Sequence, residues 1–280
     1  MKIIDFRFRP HTPEAITGML DQKNIFRNMF EYFRFKDRAY SLPLEAIVEE
    51  MDALGVDKGV ITSRDAETTY GAPSGNPGVA EMTRRFPDKF IGIAGLDPHK
   101  GMGAIEELKR MTGDHGMRGA ATDPCLARIP ASHALYYPIY AKCCELGLPV
   151  VITTGPNTLV PGTEMDHAHP RHIDRVARDF PGLKIVISHG CYPWVAEAVM
   201  MVQRNANVYM DISEYEEMPL AEGYIQAANA LIPDKLLFAS AHPFMDYKGQ
   251  IALYKRLPFT REALQAVMYS NAARLLGLAA

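Results

Sequence analysis

Cysteine is scarce in this chain. Four of its 280 residues are Cys, at 125, 143, 144 and 191, and two of them are adjacent. That spacing excludes a disulfide framework and reads as reduced thiols in a cytoplasmic protein. A basic excess is also missing, since the formal net charge is −3, so nucleic acid is not an expected partner. No apolar run reaches the ~18 residues that cross a bilayer, and the N-terminus has no apolar run after a basic start. A membrane partner is therefore not expected either. No Gly-rich phosphate fingerprint follows any β-branched run, which argues against a doubly wound nucleotide-binding sheet.

What is present is a long alternation. β-Branched and apolar runs predict strands at Lys2–Arg9, Lys58–Ser63, Phe90–Leu96, Gly119–Thr122, Pro149–Thr154, Lys184–His189, Asn207–Ser213 and Lys235–Ser240. Helical spacing fills the intervals. Leu44, Ile47, Val48, Met51 and Leu54 make one stripe ended by Gly55. Pro138–Leu146 is closed by Gly147, Arg171–Phe180 is stopped by Pro181, and Arg261–Leu276 forms the last helix. Eight strands alternating with helices over 280 residues predict an α/β fold of the (β/α)8 TIM-barrel class, which takes about 250 residues. The expectation is a single domain over residues 1–280 with an insertion at about 11–42, rich in Phe, Tyr, Arg and Asn and suited to a lid or a subunit contact. A homo-oligomer is expected on that basis. Thr68–Pro77 and Gly155–His169 are further long loops after strands.

Residues at the C-terminal ends of barrel strands carry the chemistry of this fold. Here those ends supply Arg7 and Arg9, Ser63 and Arg64, Asp97, Asp123, Thr153, His189 with Cys191, Asp211 with Ser213, and His242. Strict alternation would turn Ile4, Phe6 and Phe8 toward the helices and Asp5, Arg7 and Arg9 into the barrel. A guanidinium cannot shed its charge, and burying it unpaired costs several kcal/mol. Each arginine therefore needs an anion. Asp5, Asp123 and Asp211 are the candidates within the protein, and a small carboxylated molecule is the candidate outside it.

The segments "KIIDFRFRP", "FPDKFIGIAGLDP", "LGLPVVITTG", "FPGLKIVISHGCYPW", "NVYMDIS", "LLFASAHPF" and "NAARLLGL" follow one another along nearly the whole chain. In this order and spacing they resemble the amidohydrolase-related group of the amidohydrolase superfamily, which includes metal-dependent hydrolases and aminocarboxymuconate-semialdehyde-decarboxylase-like lyases. The resemblance implies a His-x-His motif on the first strand, where this chain has Arg7 and Arg9. It implies a histidine on the fifth strand, where this chain has Thr153, and an aspartate on the eighth, where it has Ala241 beside His242. The sixth-strand histidine is retained as His189.

One imidazole cannot make a zinc site, which takes three or four ligands. A guanidinium at ~5 Å and an effective dielectric of about 20 opposes a dication by roughly 6–7 kcal/mol. No cofactor is therefore expected, and the usual family zinc is expected to be absent. The sequence leads to a hydrolase of a small carboxylated substrate such as a lactone, working without metal. In that reading Arg7, Arg9, Thr153 and Asp123 bind the substrate, while His189, His242 and Asp211 carry the catalysis. His189 is the expected base because histidine alone titrates near neutrality unperturbed. A decarboxylase of the same family is the first alternative, and a non-catalytic binding protein on the enzyme fold is the second. His167, His169 and His172 are expected to cap and contact solvent, and Cys191 to be a small buried residue.

Overall fold

Strand and helix alternate in the computed structural model in the order that the hydrophobic spacing requires. The structure describes residues 1–35, 40–155, 160 and 162–278. Seven parallel strands lie side by side in chain order, an arrangement consistent with a TIM barrel. They are β1 (Ile3–Asp5), β2 (Val56–Thr62), β3 (Phe90–Gly95), β4 (Ala120–Thr122), β5 (Val150–Thr153), β6 (Ile185–Ser188) and β7 (Val208–Met210). The eighth expected strand, Lys235–Ser240, has no regular strand geometry. It still bonds to both sides of the gap. Met210 N donates to Lys235 O at 3.0 Å and Leu237 N to Met210 O at 2.8 Å, while Phe6 N donates to Phe238 O at 2.9 Å.

Two apolar layers follow from the parity of each strand. Ile4, Val60, Ile91, Ile93, Ala121, Val151, Val186 and Leu237 form one cluster, together with Ala272, Leu275 and Leu276 of the last helical segment. The alternate residues, among them Ile3, Ile61, Ala120, Val150, Ile152, Ile185 and Val208, pack with the helices in a larger second cluster. Helix Leu44–Leu54 turns Leu44, Ile47 and Met51 to this layer and ends at Gly55, whose φ of 77° is the left-handed conformation that glycine adopts freely. The helix expected at Arg261–Leu276 is interrupted by a π turn at Ala266–Ser270. The insertion after β1 forms helices Pro13–Asp21 and Lys23–Tyr32. Parts of the two longest expected loop regions, at 36–39, 156–159 and 161, lie outside the described residues.

The first strand corrects the expectation of strict alternation. β1 stops at Asp5, and Phe6–Arg7 is a turn. Ile4 and Phe6 belong to the inner cluster, whereas Phe8 packs in the helix-facing layer. The turn shifts the phase of the chain by one residue. That shift brings both Arg7 and Arg9 to the cavity at the C-terminal end of the strands, although Phe6 points into the core.

Candidate active site

Three guanidiniums share this end of the sheet. Arg7, Arg9 and Arg64 line a small cavity of about 10 Å³ together with Thr62, Asp123 and Thr153. Arg7 is 3% exposed, and its Nε and Nη1 have no hydrogen-bond partner among the described residues. Arg9 is half-buried. Burial, followed by the charges of Arg7 and Arg64, acts to lower its pKa. A guanidinium stays protonated at neutral pH regardless, so this pressure amounts to a standing demand for an anion. Arg64 follows β2. Gly95 on β3 makes room for it, because a Cβ there would lie 2.5–2.7 Å from three backbone atoms of Arg64. Asp123 Oδ2 lies 3.4 Å from Arg64 Nε, and its Oδ1 accepts from Leu126 N at 3.2 Å.

The other expected internal counter-ions are used differently. Asp5 Oδ1 accepts from Arg7 N at 3.1 Å and from Ser240 N at 2.9 Å. Burial pushes the Asp5 carboxyl up to about 6. Asp211 Oδ1 accepts from His189 N at 3.2 Å, Ser213 N at 3.1 Å and Ser213 Oγ at 2.7 Å. Asp211 is thus the tie that holds the residues after β6 and β7 together.

His189 leaves β6 with φ 72° and is buried. Its Nδ1 lies 2.7 Å from the Ser213 carbonyl oxygen. A carbonyl only accepts, so Nδ1 carries the proton and Nε2 the lone pair. A Cβ at residue 155 would meet the imidazole at 2.9 Å, and Gly155 avoids this. Burial, then Arg7, then Arg9 and Arg64 hold the His189 pKa well below the ordinary histidine range, against the opposing pull of the Ser213 carbonyl. The ring is therefore neutral at pH 7 and a weak base. The expectation that it titrates near neutrality is corrected by burial and, after it, by the three cations.

Glu214 comes next in the chain after Ser213 and also has a left-handed backbone, with φ 74°. Burial raises its carboxyl to about 7 even though Arg7, Arg9 and Arg64 all act to lower it. An acid with that value is about half protonated at neutral pH.

Both nitrogens of His242 are engaged. Nε2 lies 2.7 Å from His11 Nδ1 and Nδ1 lies 3.2 Å from the Met245 carbonyl oxygen. The ring stacks on Phe8 with centroids 5.3 Å apart. Burial and His11 hold its pKa well below the usual value. His169 Nδ1 caps the helix Pro170–Asp179 by accepting from Arg171 N at 3.2 Å. His172 lies against Asp166 and Ser132 at 3.1 and 3.0 Å. Cys191 is buried, and burial pushes its thiol up to about 12, so it is no ready nucleophile.

The donor set does not suit the divalent ion that the resemblance implies. Where two imidazoles were expected from His-x-His, two guanidiniums stand, and a third comes from Arg64. Among the described residues, no group of three or more His, Cys, Asp or Glu side chains converges as metal ligands would. Glu214 is the site residue that sequence reasoning left out, and Arg64 is a strand-end residue to which it gave no role. Arg64 carried the same signal as Arg7, a cation at a strand end. Glu214 lies three residues past Asp211 and carried no signal, because only folding turns that carboxylate toward the arginines.

No curated protein matches the chain. Among solved structures it is similar to an uncharacterized TIM-barrel protein from Bordetella bronchiseptica, with 30% identity over 99% of both chains and a TM-score of 0.84. A 2,6-dihydroxybenzoate decarboxylase complexed with 2,6-dihydroxybenzoate is 16% identical over 99% of this chain and 100% of that one, with a TM-score of 0.73. A 5-carboxyvanillate decarboxylase from Sphingomonas paucimobilis is 16% identical over 99% of both, with a TM-score of 0.72. At that identity the last two show a shared fold. No helix among the described residues is long and apolar enough to cross a membrane. The family model described as "Amidohydrolase" matches residues 19–278, leaving Arg7 and Arg9 just outside the match, and on that match the chain belongs to the amidohydrolase family.

Proposed function

We propose that this protein is a carboxy-lyase that removes CO₂ from a small carboxylic acid, using guanidiniums where its relatives use a metal. In this reading the segment Lys235–Ser240 closes the sheet into a (β/α)8 barrel, and the arginines stand in its mouth. The observation that carries the proposal is the cluster of three guanidiniums around one small cavity, with Arg7 Nε and Nη1 buried and without a hydrogen-bond partner among the described residues.

The chemistry follows from what each group can do. Hydrolysis needs an activated water, and hence a metal or a competent base. His189 is neutral but weakly basic, which leaves Glu214 as the base that a hydrolase would have to use. Decarboxylation needs neither. The bond between the carboxyl carbon and its neighbour breaks, CO₂ leaves, and the electron pair stays on the neighbouring carbon. In a β-keto acid the neighbouring carbonyl takes the charge onto its oxygen, where the guanidiniums stabilise it; in a hydroxyaryl acid the ring carbon is protonated first, and the pair released with CO₂ restores the aromatic ring. Glu214, entering as the acid, delivers the proton to the carbon. The names of two similar structures, both decarboxylases, support this reading over the hydrolase that the sequence led to.

A panel of β-keto and hydroxyaryl carboxylic acids, labelled with ¹³C at the carboxyl, tests it. The expected result is labelled CO₂ released in step with substrate loss. Release of a new acid that takes up solvent oxygen, with no CO₂, would overturn the proposal in favour of hydrolysis. Tight binding of the panel without turnover would overturn it in favour of a binding protein.

A further inference from the structure

A second and larger cavity adjoins the cationic one. It measures about 300 Å³. The two share Arg9, Thr62, Ser63 and Arg64 as lining residues, so the guanidinium cluster stands at one end of a mainly apolar chamber. Its far walls come from helix Pro13–Asp21 of the insertion and helix Asn76–Arg85. Met19, Ile61, Val79 and Met82 supply apolar surface.

Two exposed glycines stand at the edge of this chamber. Gly18 and Gly78 both line it, and a Cβ built on either would meet nothing within 4 Å. Neither has the positive φ that demands glycine. In a helix interior, where Gly18 lies, glycine costs about 0.5–1 kcal/mol relative to alanine; Gly78 is in the first turn of its helix. At these two positions neither backbone conformation nor steric crowding calls for it. Both are exposed and line the cavity from two different helices, so side chains added there would have open space to fill at its edge.

We infer that the site takes an amphipathic carboxylate, with the anion at the guanidiniums and a sizeable apolar body in the chamber between the insertion and helix Asn76–Arg85, and that Gly18 and Gly78 set the length of that body. The inference rests on the proposed reading of the guanidinium cluster as a carboxylate site. The insertion after the first strand then acts as the specificity wall of the site.

Unreactive n-alkanoates, from acetate to octanoate, probe this directly by ligand-observed NMR titration of the full chain. Burial of each added methylene is expected to tighten Kd roughly fourfold until the chamber is filled, after which the series levels off. Gly78→Leu and, independently, Gly18→Leu are expected to weaken octanoate at least tenfold while shifting acetate by less than twofold. Two walls guard against one variant folding poorly, and a thermal melt of each checks this. A Kd that stays flat along the series in the unaltered protein would overturn the inference, as would tightening that survives both substitutions. If acetate binding is lost in Arg64→Ala but the series is flat, only the chamber assignment fails. If no alkanoate binds at all, the carboxylate reading of the guanidiniums fails with it.

Discussion

The two sides of the strand-end face are built on opposite principles. After β6 and β7 the polar groups answer one another: Asp211 Oδ1 takes three hydrogen bonds, and the His189 Nδ1–H is spent on the Ser213 carbonyl. After β1 the chain leaves Arg7 Nε and Nη1 buried without partners, and crowds Arg9 and Arg64 beside them. Buried polar groups in native proteins are nearly always satisfied, and those that are not call for an explanation. Around Asp211 and His189 the hydrogen bonds close on the protein itself, whereas Arg7 Nε and Nη1 are left as open donors among the described residues.

That contrast can be broken or sharpened by substitution. The largest effect is expected at Glu214. Glu214→Gln should lower kcat for CO₂ release by roughly 10²–10⁴-fold, the usual range for loss of a general acid. In the unaltered protein kcat should fall as pH rises through about 7, where this acid deprotonates. A pH–rate profile that is flat from 6 to 8 would remove Glu214 from the mechanism.

On the satisfied side, Asp211→Ala leaves three donors without an acceptor. At about 1–3 kcal/mol for each buried unsatisfied group, urea denaturation should show a loss of about 3 kcal/mol or more. Asp5 lies between the two regimes, with one oxygen bonded twice and Oδ2 unpartnered. Its folded pKa of about 6 lies above the ordinary aspartate value of 3.8. The folded state therefore binds the extra proton between those values, so stability is fully present below pH 4 and falls as pH rises through 6. The decline should be about 3 kcal/mol. Asp5→Asn should flatten this part of the stability–pH curve, and an unchanged slope would assign it to another group.

The smallest effect is also the most diagnostic. Arg7→Met should weaken carboxylate binding about 10–100-fold. It should change the melting temperature little, since Arg7 Nε and Nη1 make no hydrogen bond among the described residues and replacing buried charges with apolar side chains is often neutral or stabilising. A large drop in melting temperature would mean that Arg7 is structural after all.

Much of this was legible in the chain. Helical stripes ended by Gly55 and Gly147 fall where the helices end, at Leu54 and Leu146. Seven of the eight expected strands form, within a few residues of their expected bounds. Local spacing fixes these because burial of one face is a local property of the repeat. The eighth run was legible as apolar but not as irregular, since its backbone bonds go to partners far away in sequence. The arginines were legible as strand-end cations, but strict alternation does not account for their direction. A turn at Phe6–Arg7, invisible to a period-two reading, sets their phase.

By itself the amino-acid order determined the alternation of strands and helices, the family, and the replacement of metal-binding imidazoles by Arg7 and Arg9. Folding alone decided the protonation of the site. His189 is held neutral by burial and by the charges of Arg7, Arg9 and Arg64, which lie more than 100 residues away in the chain, and burial raises Glu214 to about 7 against the pull of the same arginines. A pKa records the field of everything nearby in space, and a sequence records only what is nearby along the backbone.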